Sequence, residues 1–155
     1  MGVIVETTGD LFTTDAQYIA HGCNAQGVMG SGVAKIVRER YPKAYLDYVD
    51  FHENFGFNLG FCQFVDIDES RTIINIISQD NFGTRERQVS YDAIDSAWGN
   101  IQKVLIARHG RENLDKIVVA IPMIGAGLGG GNWNIIKTII QESPVDFVTK
   151  VYYVE

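Results

Sequence analysis

A chain of 155 residues, 46% hydrophobic and 21% charged, is long enough to bury roughly 70% of its unfolded surface without covalent staples. Its formal net charge of −6 argues against a protein held on DNA or an anionic membrane by its overall field. Two cysteines, Cys23 and Cys62, are too few for a disulfide framework or a self-sufficient zinc site.

Val3-Ile4-Val5 reads as a first strand ending at the turn-like Thr8-Gly9-Asp10, and the opening Met-Gly-Val-Ile-Val-Glu is expected to start that strand rather than a signal peptide. A second apolar segment, Tyr18-Ile19-Ala20, leads into a polar, glycine-rich run. Val33, Ile36, Val37 and Tyr41 then recur at helical spacing. Pro42 separates this helix from another, whose apolar face is read as Tyr45, Leu46 and Val49. Strands follow from Phe61 to Val65 and from Thr72 to Ile77, joined by a charged turn. Past the polar segment SQDNFGTRERQVSY, a long helix carries Ile94, Ala97, Trp98, Ile101, Val104 and Leu105, and Gly110 stops it. Ile117 to Ile121 is almost purely apolar, as expected of a strand covered on both faces. The loop MIGAGLGGGNW, a helix from about Asn134 to Gln141 and a strand from Phe147 to Val154 complete the chain. Strands alternating with helices, without repeat or linker, predict an α/β fold in one domain over residues 1–155, a mixed sheet with helices on each side.

The polar run lies within AHGCNAQGVMGSGVAKIVRERYP, residues 20–42, and resembles no ordinary connector. It sets His21, Asn24 and Gln26 beside Gly27, Gly30 and Gly32, between a strand and a helix. In open α/β sheets that position binds ligands, glycines admit a close backbone approach, and the helix N-terminus favours phosphate. The late loop repeats the arrangement. Gly125-Ala126-Gly127-Leu128-Gly129-Gly130 satisfies G-x-G-x-x-G by count, but no βαβ unit follows with the acidic residue of a nicotinamide site. Walker and nucleophile-elbow motifs are absent.

Taken together, these residues resemble a macro domain, the module that binds ADP-ribose. The resemblance rests on Gly9-Asp10-Leu11, on Asn24 followed by Gly30-Ser31-Gly32-Val33-Ala34, and on Ile124-Gly125-Ala126-Gly127-Leu128. It covers nearly the whole chain and implies a three-layer α/β/α fold. AHGCNAQGVMGSGVA is most similar to the branch holding the ADP-ribose 1″-phosphate phosphatases and the terminal ADP-ribose protein glycohydrolases. The His-x-Cys-Asn order and RYPKAYLDY lean towards the phosphatases.

The resemblance implies that Asp10 and the backbone of Leu11 recognise adenine, and that Asn24 bonds the distal ribose. Gly30, Ser31, Gly32 and Val33 would form one wall of the diphosphate groove, and the loop from Ile124 and Gly125 through Ala126 and Gly127 to Leu128 the other. His21 is the candidate proton-transfer group, with a structural histidine under the loop as its alternative. Phe82 is a candidate to stack on the distal ribose, and alternation leaves one of Tyr152 and Tyr153 free to pack on adenine, with Tyr153 favoured. His52 and His109 read as solvated helix-end residues. The glycohydrolases of this branch use a Lys after the central strand and an Asp after Gly-x-Gly-Leu. Residues 78–84 hold no Lys here, and Gly129 follows Leu128, so that covalent route is not expected.

The expected activity is hydrolysis of ADP-ribose 1″-phosphate to ADP-ribose and phosphate, without metal or cofactor. The alternatives are a non-catalytic reader of ADP-ribose or ADP-ribosylated protein, and a hydrolase of protein ADP-ribosyl esters. A cytoplasmic monomer without nucleic-acid or membrane partners is expected.

Overall fold

The computed structural model describes residues 2–30, 32–80, 89–126 and 130–154. The strands are β1 (Val3–Thr8), β2 (Tyr18–Asn24), β3 (Cys62–Asp68), β4 (Arg71–Gln79), β5 (Val118–Ile121) and β6 (Val148–Tyr153). They form a six-stranded sheet in the order β1-β6-β5-β2-β4-β3. Every pairing is parallel except β3 with β4, a hairpin that closes one edge. Parallel neighbours cannot be joined by a tight turn, so the chain returns across the sheet between them. The carboxyl ends of β1, β2, β4, β5 and β6 therefore lie along one edge, and both glycine-rich loops leave from it.

Helices α1 (Gly32–Arg40) and α2 (Pro42–Phe55) cover one face, and α3 (Tyr91–His109) and α4 (Trp133–Glu142) cover the other. The expected mixed sheet with a helical layer on each face is what the chain forms. Under α3 and α4 lies the larger core, built from Ile94, Trp98, Ile101, Leu105, Ile136 and Ile140 against Ala20, Ile74, Ile76, Val119 and Val151. Its β4 segment, Thr72 to Ser78, is buried at every position because both faces are covered.

Caps account for the helix limits. Ser90 accepts the Ala93 amide and Asn132 that of Asn134, while Gly110 ends α3 with a positive φ. Helix α2 departs from the sequence reading. Its buried residues are Ala44 and Tyr48, while Leu46 is 62% exposed. Residues four apart share a face, and here the small Ala44 admits close approach to the sheet. Among the described residues, no helix is long and apolar enough to cross a membrane.

Trp98 is fully buried, and its indole Nε1 donates to Thr149 Oγ1 at 3.0 Å, tying α3 to β6. Trp98→Phe is expected to destabilise the fold by about 2–4 kcal/mol, by leaving a small void and an unpartnered hydroxyl. A lowered urea midpoint with an unchanged m-value would register it.

Candidate functional site

The first glycine-rich loop begins at an irregularity. Cys23 pairs with Ile77 but Asn24 with Gln79, which leaves Ser78 as the extra residue of β4. Such a bulge ends regular pairing and redirects the chain. Asn24 then folds the loop around its own side chain. Its Oδ1 accepts the amides of Gln26 at 3.0 Å and Val28 at 3.3 Å, and its Nδ2 donates to the Val28 carbonyl at 2.7 Å. Met29, 1% exposed, anchors the loop among Cys23, Ala25, Tyr48 and Ile77. Gly27 has φ +82°, and a Cβ there would lie 2.8 Å from His52 Nδ1. The loop thus rests directly on the last turn of α2. Gly30 is exposed, and Gly32 opens α1, whose first-turn amides lack helical partners. Ser31 lies outside the described residues.

The second loop is closed by its own backbone. The Gly131 amide donates to the Gly125 carbonyl at 2.7 Å, and that of Ala126 to Met123 at 3.2 Å. Gly125 has φ +76°, and a Cβ on it would stand 2.5 Å from Val89 Cγ2. Val89 pairs with Gln79, so it couples the return of the β4–α3 connection to the foot of this loop. Ile124 is 2% exposed and seats the loop in the core. Gly127 and Leu128, expected in the groove wall, and Phe82, expected over the ribose, lie outside the described residues.

After β1, the exposed Asp10 caps a short 3-10 turn, Leu11–Thr13, by accepting the Phe12 amide at 2.9 Å. Leu11 is buried beneath it. Asp10, the Asn24 loop and the Gly125 loop therefore stand at carboxyl ends of parallel strands, facing the same side of the molecule.

His21 is 0% exposed and lies under α2, because alternation along β2 sends it to the same face as Ile19 and Cys23. Its Nε2 meets Asn75 Oδ1 at 2.6 Å. Asn75 Nδ2 donates to the Ala44 carbonyl at 3.1 Å and to Gln63 Oε1 at 3.0 Å, so Oδ1 is an acceptor and His21 Nε2 carries the proton. Burial pushes this imidazole down to about 4, only partly opposed by the Asn75 bond, so it is neutral near pH 7. In this structure the imidazole is enclosed beneath the Asn24 loop and reaches no solvent. Tyr153 is half-buried, packed edge-on against Trp133, whose Nε1 donates to its hydroxyl at 3.0 Å. Tyr152 points to the other face, where its hydroxyl donates to Thr14 Oγ1 at 2.8 Å beside Leu11. Tyr152 thus packs beneath the Asp10 turn, while Tyr153 ends β6 opposite Thr8, its carbonyl accepting the Gly9 amide at 2.8 Å.

Sequence reasoning missed what supports the site. Neither helix-end histidine is simply solvated, since His52 packs under Gly27 and His109 Nε2 lies 2.6 Å from the Tyr18 hydroxyl. Phe51, Phe57 and Phe61 stack beside a cleft of about 450 Å³ that also involves Phe55, Asn58 and Asn100. That cleft lies at the β3 edge, outside the groove. Among the described residues, no three of His, Cys, Asp and Glu gather closely enough to hold a metal ion.

The fold as a whole has counterparts among known proteins. A macrodomain protein from Streptomyces coelicolor superposes with a TM-score of 0.76 at 27% identity, covering 96% of this chain and 97% of that one. An ADP-ribose 1″-phosphate phosphatase of Candida albicans is 26% identical over 140 residues, 86% of this chain and 89% of that protein. A DNA ADP-ribosyl glycohydrolase of Mycobacterium tuberculosis is 27% identical over 138 residues, 87% of this chain but 37% of that longer protein. No protein-family model matches the chain. The chain has the macrodomain fold, and its sequence is similar both to ADP-ribose 1″-phosphate phosphatases and to DNA ADP-ribosyl glycohydrolases.

Because His21 resists protonation when folded and accepts a proton near pH 6.5 when unfolded, the unfolded chain binds more protons between those values. Stability is therefore fully present above about pH 6.5 and falls as the pH drops towards 4, by on the order of 3 kcal/mol from this residue. Urea unfolding from pH 7 to 4 should show this slope in the natural protein and a shallower one in His21→Gln. Gly125→Ala should cost about 2 kcal/mol or more from left-handed strain and the Val89 contact, read as a lowered melting temperature.

Proposed function

We propose that the chain binds ADP-ribose along the groove between the Asn24 and Gly125 loops and hydrolyses ADP-ribose 1″-phosphate to ADP-ribose and phosphate. The observation that carries the reading is the convergence on one sheet edge of the capped Asp10 turn, two glycine loops and the N-terminus of α1. Backbone amides at that edge suit a diphosphate despite the net charge of −6, because they act locally. Asp10 serves adenine, Asn24 the distal ribose, and Gly30, Gly32, Val33, Gly125 and Ala126 the diphosphate. Similarity to the Candida albicans phosphatase supports the 1″-phosphate as the hydrolysed group.

Phosphate monoester hydrolysis asks mainly for positioning and charge stabilisation. In this reading, α1 and the loop amides hold the diphosphate and orient the 1″-phosphate for attack by water. The P–O bond to the ribose breaks, and the ribose oxygen takes a proton. His21 has no part in it. The same burial of His21 favours a second reading, a protein that reads ADP-ribose without turnover. A DNA-linked ADP-ribose, the substrate class in the mycobacterial relative's name, would present the same moiety to the groove. The net charge argues only against binding duplex DNA through its backbone.

³¹P NMR of the protein with ADP-ribose 1″-phosphate, followed for hours without added metal, separates these readings. Inorganic phosphate should grow in beside an intact diphosphate signal. Shifted diphosphate lines without released phosphate would establish the reader instead.

A further inference from the structure

The loop that carries Asn24 is held from below by side chains of α2. Tyr48 is 0% exposed, and its hydroxyl donates to the Asn24 carbonyl at 2.6 Å and lies 3.0 Å from Asn24 Oδ1. The single phenol hydrogen thus lies between the backbone carbonyl, which it bonds at the shorter distance, and the side-chain oxygen of the residue around which the loop folds. Burial pushes the Tyr48 phenol up, so it remains a donor across the working pH range. The ring is fixed in turn. Phe57 stacks on it at 5.1 Å with 19° between planes, and Phe57 also packs against His52, on which Gly27 rests. The Asn24 loop therefore has two supports from one helix, at its first residue and at its tightest turn.

Asn24 Oδ1 accepts the Gln26 and Val28 amides as well as facing the Tyr48 hydroxyl, and Nδ2 gives one hydrogen to Val28. An amide nitrogen has two hydrogens, so among the described residues one Nδ2 hydrogen is left outside the loop's own bonds. Its direction is set by the rotation of the Asn24 amide, and among the described residues Tyr48 is a side chain from outside the loop that adds to the Gln26 and Val28 bonds in holding that rotation.

We propose that Tyr48 is a positioning residue for ligand recognition, its hydroxyl aiming the Asn24 amide so that the groove discriminates ADP-ribose from ADP, which lacks the distal ribose. The inference rests on the proposed occupation of the groove, with the distal ribose at Asn24. It extends that reading to the residue that supplies the discrimination.

Calorimetric titration of the natural protein and Tyr48→Phe with ADP-ribose and with ADP tests it. Phenylalanine keeps the ring stack and removes only the hydroxyl. Affinity for ADP-ribose should fall about ten-fold, the equivalent of one lost hydrogen bond, while affinity for ADP stays within about two-fold. A merely structural role lowers both affinities together or neither, and either result overturns the proposal. Should Tyr48→Phe not fold, Phe57→Leu keeps the hydroxyl and loosens its stack. It should shift the ADP-ribose to ADP ratio in the same direction by a few-fold, and an unmoved ratio is the contradicting result. A natural protein that binds neither nucleotide, or both equally, refutes the distal-ribose placement itself, an outcome separate from any effect of the variants.

Discussion

Parallel pairing is the constraint on which the rest of this structure depends. Once β1, β6, β5, β2 and β4 run the same way, each return must cross a face of the sheet, and each outgoing loop must leave from the same edge. The two glycine loops and the Asp10 turn come from distant parts of the chain, yet this geometry brings them to one rim. The function proposed for the protein thus follows from backbone direction before any side chain is considered. The antiparallel β3 ends the parallel series and lends its edge to the aromatic cluster beside α2.

The rim is held in shape by the layer beneath it. Asn24 closes its loop with three of its own bonds, Met29 plugs it into the core, and α2 supports it through Tyr48 and His52. The second loop depends on Val89, which occupies the space that side chains at Gly125 and Gly131 would need. Glycine at these places answers two demands, a left-handed backbone at Gly125 and contact closer than any Cβ permits. Preorganisation of this kind suits a ligand gripped by main-chain amides, since amides cannot adjust their direction without moving the loop.

Much of this was legible in the sequence. The alternating apolar runs located every strand, and strand–glycine loop–helix order located the rim, because both depend on local periodicity. Asn24 and Asp10 were legible as site candidates from the motifs around them, and each also shapes the turn in which it stands. The burial of His21 was not, because alternation says which face a residue takes but not what lies above that face. Its partner Asn75 and the half-buried Gln63 beyond it come from other strands, and His21 and Asn75 are sealed from solvent beneath α2. Leu46 failed similarly: helical spacing allowed two registers of α2, and close packing of Ala44 on the sheet selected the other. Tyr48 carried no local signal, since its significance is a bond to a carbonyl two elements away.

The claim that the groove between the Asn24 and Gly125 loops holds ADP-ribose is tested most directly by mapping backbone amide resonances during titration with that nucleotide. The account predicts saturable shifts at Asp10 and Leu11, from Gly27 through Val33, and at Gly125 and Ala126, with the aromatic edge from Phe51 to Phe61 largely unmoved. Shifts concentrated at that aromatic edge, or none at millimolar nucleotide, would contradict it.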